Sequence, residues 1–245
     1  MHPSQLFNIL QSVDSTNNYA MGVIRDGLAQ PGMAWFAYDQ FNGRGQRNKQ
    51  WKSKPGENLI LTVLLHPPGV AIDKPFQLSA AIALEIIELL NKVTGKVFCI
   101  KWPNDIYYGD RKAGGILIEN IWAGNDWKWA VVGIGINVNQ VNFDEELLNP
   151  ISLKLITRED VPTEEIARKL HKNILYNLND RLAGHDLLEK YNLALFKKNE
   201  PVLFSSANDR FVAVVKGVNS AGSLLLEEFP EREFRFGELV WELKS

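Results

Sequence analysis

The chain has 245 residues, 45% of them hydrophobic and 23% charged, with a formal net charge of −2. This composition is ordinary for a globular protein of one large domain, or of one medium domain and a small appendage, and it excludes a disordered chain. The net charge does not indicate a nucleic-acid partner, and the longest apolar stretch, residues 78–90, is shorter than the roughly 20 residues that span a bilayer.

Two local features bear on where the protein works. The N-terminal residues show no cationic segment followed by an apolar core, so no secretory signal is predicted. Cys99 is the single cysteine and lies in an apolar run, which predicts a buried, reduced thiol and no intrachain disulfide. We therefore expect a cytoplasmic protein without a membrane partner.

The first part of the chain predicts strands joined mainly by short turns. The first predicted elements are a short helix after the N-cap residues 14–17, a strand at 33–38, and a glycine-rich, cationic loop at 42–57. A strand at 58–66, closed by Pro67-Pro68-Gly69, and a helix at 76–93, between Pro75 and Gly95, follow. The last predicted elements are strands at 97–102, 106–108, 115–122 and 127–138, with turns at Gly109-Asp110 and Gly124-Asn125-Asp126. Such an arrangement favours an α+β protein with a mixed, mainly antiparallel sheet.

The second part of the chain changes character. The predicted elements are a connecting loop at 140–162, helices at 163–183 and 186–195, and short strands at 202–204, 211–215, 224–227, 233–236 and 239–241. Five short strands in so few residues predict a small barrel. We place the boundary near Asn199, which gives a larger domain of residues 1–198 and a small domain of residues 199–245.

The loop GRGQRNKQW (residues 43–51) is the first stretch whose residues could bind a ligand or take part in catalysis. Its glycines allow a ligand to approach the backbone, and its three cations can donate to phosphate or carboxylate. The spacing matches neither a P-loop nor a dinucleotide-binding turn. Composition alone also allows a solvated charged loop, and a nucleic-acid patch is a further alternative that the net charge disfavours.

The second stretch runs from KWPND (residues 101–105) to RKAGGILIE (residues 111–119). A strand ends in a proline-containing turn that carries a cation, an amide and a carboxylate, and the following hairpin places Lys112 beside paired glycines. Polar groups at strand ends are good site candidates because rigid elements hold them in place. An ordinary turn and a surface lysine would explain the same residues taken singly.

The third stretch is GIGINVN (residues 133–139). Glycines at alternate positions would clear one face of a strand for a flat ligand, and Asn137 could read a base or ribose edge. A glycine-bearing strand that packs against a helix is the alternative.

Taken in order, these stretches resemble the biotin protein ligase family, to which the KWPND and RKxxGILxE patterns are specific. The resemblance runs from about residue 10 to the C-terminus. It implies a catalytic domain similar to that of class II aminoacyl-tRNA synthetases, followed by an SH3-like barrel. Because the chain begins almost at the catalytic domain, we expect the monofunctional form, which lacks the DNA-binding domain and does not bind DNA.

The resemblance also implies roles for individual residues. Biotin would be bound by Ser15, Thr16, Asn17, Gln40, Gly43, Arg44, Gly45, Gln46, Trp51, Lys112 and Gly115. ATP would be bound by Arg44, Trp51, Lys101, Asn104, Lys112 and Asn137. The catalytic residues would be Lys112, Arg44 and Asp105, with Mg²⁺ held on the triphosphate and no protein site dedicated to a metal.

The implied reaction has two steps. Biotin and ATP form biotinyl-AMP and pyrophosphate, and a lysine of a biotin carboxyl carrier protein then attacks the acyl carbon. Lys112 and Arg44 would offset the charge that builds up in the first step. Asp105 would orient or deprotonate the acceptor lysine, whose ordinary pKa of about 10.4 makes it a poor nucleophile.

One departure from the family is expected to matter. The family loop is commonly GRGRxGR, whereas this chain has Gln46 and Asn48 at the second arginine and the later glycine. The loop is expected to be a lid, and this difference bears on how firmly it closes over an adenylate. Residues 101–119 are expected to be the rigid base. Related ligases often dimerise through the catalytic sheet, so a homodimer is a further expectation.

Two alternative functions remain open from the sequence. Lipoate–protein ligase shares the fold and the adenylate chemistry, but its RRxSGGG-type loop is missing here. A non-catalytic binding module with a basic loop is an alternative of another class.

Overall fold

The computed structural model describes residues 5–66, 75–147, 149–207 and 209–243. The predicted Pro67-Pro68-Gly69 turn lies outside these residues, and so does the side chain of Asn48. The helices are α1 Thr16–Arg25, α2 Pro75–Thr94, α3 Leu153–Thr157, α4 Thr163–Ala183 and α5 Leu187–Leu193. The first nine strands are β1 Phe7–Val13, β2 Ala34–Gln40, β3 Gly43–Arg44, β4 Gln50–Trp51, β5 Asn58–Leu65, β6 Cys99–Lys101, β7 Asp105–Tyr108, β8 Arg111–Ala123 and β9 Asp126–Asn137.

Seven of these strands form one sheet in the order β1-β2-β5-β9-β8-β7-β6. The β1–β2 pair is parallel, and the other neighbours are antiparallel. The predicted mixed, mainly antiparallel α+β fold is therefore confirmed. Both predicted hairpins are present, since Gly109 and Gly124 supply the positive φ values that the tight turns require.

Helices cover both faces of the sheet. The apolar side of α2 belongs to the main hydrophobic core together with buried residues of α4. On the opposite face, Ala20 of α1 packs with Trp35, Leu64 and Val131 in a second cluster. Because side chains alternate along a strand, β2, β5 and β9 each supply apolar residues to both cores.

Outside the segment 42–57, which was predicted as a loop and contains the short strands β3 and β4, two further elements were not predicted. The β1 strand is an edge strand, and most of its side chains are at least partly exposed, so it lacks the clear apolar alternation that identifies a strand in sequence. The short helix α3 lies inside the segment predicted as a loop. Its N-cap is Ser152, whose hydroxyl accepts from the backbone N–H of Leu155 at 3.2 Å.

The C-terminal residues form a second sheet. Its strands are β10 Pro201–Ser205, β11 Arg210–Val218, β12 Leu224–Leu226, β13 Glu233–Phe234 and β14 Val240–Trp241, in the order β13-β12-β11-β10-β14. All pairs are antiparallel. A C-terminal β-rich unit is thus present, and its buried residues join the main core. The indole N–H of Trp102 donates to the Gly222 carbonyl at 2.9 Å and ties the two sheets together.

The remaining bulk predictions concern Cys99 and membranes. Cys99 is a free cysteine and is half-buried instead of fully buried, with Sγ 3.7 Å from the carbonyl of Tyr107. Burial raises the pKa of its thiol to about 11, so it stays protonated near neutral pH. Within the described ranges, no helix has the length and apolar character needed to cross a bilayer.

Candidate functional site

The N-terminus of α1 brings three predicted ligand residues into the protein interior. Ser15, Thr16 and Asn17 are all at most 3% exposed, and Ser15 is the N-cap of the helix. Gln40, at the end of β2, accepts hydrogen bonds through Oε1 from the backbone N–H of Thr16 at 2.8 Å and from its hydroxyl at 3.2 Å. These four predicted residues therefore lie together, in a cluster of buried polar side chains.

Two residues that were not predicted complete this cluster. Thr62, in the middle of the buried strand β5, lies 2.6 Å from Asn17 Oδ1, to which its hydroxyl donates, and 2.8 Å from the Thr16 hydroxyl. Glu119 on β8 accepts from Asn17 Nδ2 at 2.8 Å. The signal for Thr62 was available, because it is the one polar residue inside the run LILTVLL. We call Thr16, Asn17, Gln40, Thr62 and Glu119 the head cluster.

The loop of residues 43–51 is a small hairpin in this structure. Strands β3 and β4 pair Gly43 with Trp51 and Arg44 with Gln50, and the Gly45 N–H donates to the Lys49 carbonyl at 2.7 Å. A Cβ on Gly43 would lie 2.5 Å from Gln40 Nε2, so only glycine allows the loop this close to the head cluster. The predicted loop thus contains two short paired strands, and its tip is internally hydrogen-bonded.

Arg44 joins this loop to the head cluster. Its Nη2 lies 2.9 Å from Glu119 Oε1 in an ion pair, and its Nη1 donates to Asn18 Oδ1 at 3.0 Å. Glu119 therefore binds the loop through one oxygen and Asn17 through the other. The Arg44 side chain is 44% exposed, which leaves its guanidinium accessible to a ligand.

The glycines of β9 make room for two site residues of the protein itself. A Cβ on Gly133 would lie 2.5 Å from Asn17 Oδ1, and a Cβ on Gly135 would lie 2.6 Å from Cε2 of Trp51. In this structure Asn17 and Trp51 fill the space that the two glycines leave on this face of β9, and clearance for a flat ligand stays a prediction. Gly133 and Gly135 are two residues apart, so these contacts are separated by about 7 Å along the strand.

Lys112 and Asp105 lie beside the Trp51 end of this glycine face. Lys112 Nζ is 2.6 Å from Asp105 Oδ1, and both side chains are about one-third exposed or less. Strand register places Asp105 opposite Gly115 and Gly115 opposite Gly135. A Cβ on Gly115 would lie 3.6 Å from Lys112 Nζ. Asp105, Gly115 and Gly135 are therefore neighbours across three adjacent strands. The Lys112–Asp105 ion pair lies at one end of this row, and Trp51 covers Gly135 at the other.

Lys101 lies opposite Asp105 in the β6–β7 pair. Its ammonium is 5.5 Å from the Tyr107 ring and 5.4 Å from the Trp241 ring. Burial lowers the pKa of Lys101, and the nearby Asp105 carboxylate opposes this effect. Lys101 therefore contacts an aromatic ring of the C-terminal sheet as well as one of its own.

Two predicted nucleotide contacts have partners within the protein. Asn104 Nδ2 donates to the Ile116 carbonyl, and Asn137 Nδ2 donates to the carbonyls of Lys112 at 3.3 Å and Ile151 at 3.2 Å. Both asparagines are less than 10% exposed. In this conformation they fix the backbone around Lys112 and β8, and their contact with a nucleotide stays a prediction.

Some polar atoms of the loop are buried without a partner. Among the described residues, Gln46 Oε1 and Trp51 Nε1 are buried and have no hydrogen-bond partner within the protein. Unpaired buried polar atoms are rare in folded proteins and are often found where a ligand binds. A cavity of about 370 Å³ adjoins Gln46 on the other face of β8, lined also by Phe76, Asn120 and Phe236.

The arrangement suits Mg²⁺ that arrives with a nucleotide. In the described part of the chain, no three His, Cys, Asp or Glu side chains gather into a metal-binding group. Mg²⁺ is commonly held by one or two carboxylates together with substrate phosphates, and Asp105 is a partly exposed carboxylate at the site. Asp105 is paired with Lys112 in this structure, so it could contribute at most one carboxylate to such an ion, and magnesium at this site stays a prediction.

Comparison with known proteins agrees with this geometry. The family model of the biotin/lipoate A/B protein ligase family matches residues 9–137, a span that includes every predicted site residue. Biotin–[acetyl-CoA-carboxylase] ligase of Paracoccus denitrificans is 38% identical over 94% of this chain and 100% of that protein. The bifunctional ligase/repressor BirA of Escherichia coli K12 is 31% identical over 90% of this chain and 68% of its own length.

A solved structure extends the comparison to the whole fold. The biotin protein ligase of Aquifex aeolicus in complex with biotin and ATP aligns with a TM-score of 0.80 at 27% identity, over 97% of this chain and 99% of the other. The family model covers more than half of the chain, and these relatives match nearly its full length. The chain therefore belongs to the biotin/lipoate A/B protein ligase family.

Proposed function

We propose that this chain is an ATP-dependent ligase that activates biotin as biotinyl-AMP and transfers it to a lysine of the biotin carboxyl carrier protein of acetyl-CoA carboxylase. The observation that carries this proposal is the spacing on one face of β8 and β9. A buried polar cluster lies at Gly133, the Lys112–Asp105 ion pair lies at Gly115, and Trp51 covers Gly135 between them. This layout suits a ligand with a polar head, an apolar middle and a carboxylate.

In the proposed complex, Ser15 and the head cluster bind the ureido group of biotin, because hydroxyl and amide groups can satisfy both its N–H donors and its carbonyl. Trp51, which packs directly on Gly135 in this structure, lies against the apolar part of biotin beside Gly115. Lys112 binds the biotin carboxylate, and Gly43, Gly45 and Gln46 bring the loop backbone close to it. Relatives with biotin ligase names and a neighbour solved with biotin and ATP support these assignments.

The first step brings two anions together. A biotin carboxylate oxygen attacks the α-phosphorus of ATP, the bond from that phosphorus to the β-phosphate oxygen breaks, and pyrophosphate leaves. Lys112 and Arg44 offset the charge repulsion, and Lys101, Asn104 and Asn137 support the nucleotide side of the site. Mg²⁺, when bound to the triphosphate, neutralises part of the phosphate charge.

The second step transfers the acyl group to the carrier. The amine of the carrier lysine attacks the acyl carbon, and the bond from that carbon to the AMP oxygen breaks. The amine must lose a proton to become a nucleophile. Asp105 can accept this proton, because it lies at the end of the row that carries Lys112 and its side chain is partly exposed.

The proposal extends to the organisation of the chain. The division near Asn199 separates a catalytic domain from the C-terminal sheet, which we propose closes into an SH3-like barrel. A cytoplasmic location follows from the chemistry, since ATP and the carrier are found there. The net charge of −2 favours a protein as the macromolecular partner and disfavours DNA. Strand β7 pairs with β8 only up to Gly115. Among the described residues no strand pairs with residues 118–123 of β8 on that side, which supports a homodimer through the sheet.

The decisive experiment measures ATP-dependent incorporation of labelled biotin into a purified carrier domain. We expect one biotin per carrier, pyrophosphate release before transfer, and no incorporation without ATP. The same assay with lipoic acid distinguishes a biotin ligase from a lipoate ligase. Incorporation of lipoate and not of biotin would show that lipoate is the substrate. A chain that incorporates neither acid would be a binding protein and not a ligase.

A further inference from the structure

The tip of the ligand loop (residues 43–51) touches the C-terminal sheet. The guanidinium carbon of Arg47 lies 4.7 Å from the centroid of the Phe236 ring, a distance at which a cation is attracted to an aromatic face. The next residue, Gly237, has φ +97, and a Cβ built there would overlap the Arg47 guanidinium. Glycine at this position therefore provides the space in which the arginine side chain lies.

Phe236 packs against Trp102, which belongs to the KWPND segment (residues 101–105). Its ring centroid is 6.1 Å from that of Trp102, at an interplanar angle of 76°. Trp102 directly follows β6, is 3% exposed, and donates its indole N–H to the Gly222 carbonyl at 2.9 Å. Phe236 thus lies between the KWPND segment and the loop, so a contact with Phe236 fixes the loop relative to the base.

The backbone of Arg47 indicates that its placement is constrained. Its φ is 55° and its ψ is 45°, a left-handed conformation that non-glycine residues seldom adopt and that persists where surrounding contacts hold it. The turn is closed beneath it by the Gly45–Lys49 and Lys49–Gln46 backbone hydrogen bonds. The loop is therefore held on one side by the Arg44–Glu119 pair and on the other by Arg47.

We propose that Arg47 is a positioning residue that docks the ligand loop on the C-terminal sheet and thereby slows the escape of the acyl adenylate. This inference rests on the proposed function. Arg47 acts through Phe236 and touches no reacting atom. Docking keeps the loop ordered before ligand binds, so less ordering is required when it closes. This gives the C-terminal sheet a part in retaining the intermediate.

The first test measures adenylate release without any carrier. Labelled biotinyl-AMP is formed on the enzyme, unlabelled biotin and ATP are added in excess, and loss of bound label is followed. A half-exposed cation–π contact corresponds to about a two- to fivefold change in rate, so Arg47→Ala should release label faster by this factor. Arg47→Lys, which keeps a cation, should stay near the wild-type rate. Unchanged release in Arg47→Ala would overturn the proposal.

A matched control is present on the same sheet. Arg232 lies 4.4 Å from the Phe234 ring in a similar contact, but Phe234 is fully buried in the main core. Arg232→Ala should release adenylate at the wild-type rate. The double variant Arg47→Ala/Phe236→Leu should release no faster than the faster single variant, because both changes break one contact. Fully additive acceleration would show that Arg47 does not act through Phe236.

A second readout needs no ligase activity. Trypsin cleavage after Lys49 in the ligand-free protein reports how firmly the loop tip is docked. Cleavage should be faster in Arg47→Ala than in the wild type or Arg232→Ala, and equal rates would overturn the docking. If the wild type formed no adenylate while this difference held, the proposed function would fail and the docking of the loop would stand.

Discussion

Glu119 shows how single side chains couple the two halves of the site. One of its oxygens pairs with Arg44 of the ligand loop and the other accepts from Asn17 of the head cluster. Its side chain is 19% exposed, so both contacts are partly shielded from water and stronger than surface pairs. Movement of the loop and binding at the head cluster therefore affect the same carboxylate.

Replacement of Lys112 by alanine should strongly slow adenylate formation and leave the fold intact. The strand around Lys112 is held by backbone contacts, to Asn149 and Ile151, which alanine preserves. The lost ion pair with Asp105 is partly exposed and should change the free energy of unfolding by no more than about 1 kcal/mol. Loss of a well-placed cation should slow pyrophosphate release by about 100-fold or more.

The control for Lys112→Ala is Lys128→Ala. Lys128 also forms an ion pair, at 3.0 Å to Asp126, but it lies at the far end of β9. Its replacement should leave pyrophosphate release unchanged. Wild-type release in Lys112→Ala would remove Lys112 from the mechanism.

Gln46→Arg should improve retention of the adenylate. Gln46 stands where the family loop commonly has an arginine, and its Oε1 is buried without a partner among the described residues. A guanidinium there could bind the phosphate of the adenylate, and a charge-assisted hydrogen bond of this kind corresponds to about a tenfold slower escape. The measurement is ATP-dependent biotin labelling of an unrelated protein, which should fall in the variant.

The same charge added elsewhere on the loop is the control. Gln50 pairs with Arg44 across the β3–β4 ladder and its side chain is exposed. Gln50→Arg should label the unrelated protein as the wild type does. Equal labelling by wild type and Gln46→Arg would mean that residue 46 does not control escape.

For single residues, the family resemblance was enough to predict a set of ligand-binding candidates. It missed the residues whose role depends on contacts between segments that are distant in the chain. Ser15, Thr16, Asn17 and Gln40 were expected together and lie together. Thr62 and Glu119 became site candidates only when the strands were placed side by side, because hydrogen bonds across a sheet leave no short-range pattern in the chain.

Among the elements, α2 and α4 are joined by a buried ion pair. Glu85 of α2 is 1% exposed and lies 2.7 Å from Arg181 Nε, and the Arg181 side chain is 12% exposed. Asn177 also donates to Glu85, at 3.2 Å. A carboxylate so deep in an apolar helix interface requires these partners, because burying an unpaired charge is costly.

Arg181→Ala should destabilise the protein by about 3–5 kcal/mol, since it leaves Glu85 buried with too few partners. The free energy of unfolding in urea measures this loss. Lys169→Ala on the same helix removes an exposed ion pair with Glu165 and should cost no more than about 1 kcal/mol. Equal losses in the two variants would mean that burial of Glu85 does not govern the effect.

Helix and strand prediction was most accurate where apolar periodicity was strong. The α2 and α4 helices and the β5 and β9 strands match their predicted positions within a few residues. Strand β1 was not predicted because an edge strand buries few side chains. Helix α3 was not predicted because its five residues make less than two turns and show too little periodicity.

At the scale of the whole molecule, Gly222 is one of the positions where the C-terminal unit contacts the rest of the protein. Its φ is +89, and a Cβ there would lie 2.6 Å from Cγ of Phe76 on α2. Its carbonyl accepts from Trp102. The C-terminal sheet is therefore packed against the larger sheet through a position that only glycine fits, and the Arg47–Phe236 contact depends on that packing.

Gly222→Ala should lower the free energy of unfolding by more than the cost of the backbone alone. Gly109 is the control, because its φ is +54 and a Cβ there meets nothing within 4 Å. Gly109→Ala should cost about 1–2 kcal/mol, and Gly222→Ala about 1–3 kcal/mol more because of the overlap with Phe76. Thermal unfolding compares the two, and equal losses would contradict tight packing at this junction.

The hydrogen bond between Asn17 and Glu119 joins residues 102 positions apart, and this separation affects the order of assembly. The β8–β9 hairpin is local and can form early, whereas closing a long segment of chain costs entropy that only later contacts recover. We therefore expect the Asn17–Glu119 contact to form after the β8–β9 hairpin. Because the site draws on residues from both α1 and β9, which ends at Asn137, we expect a nascent chain to bind its ligand only after β9 has been synthesised.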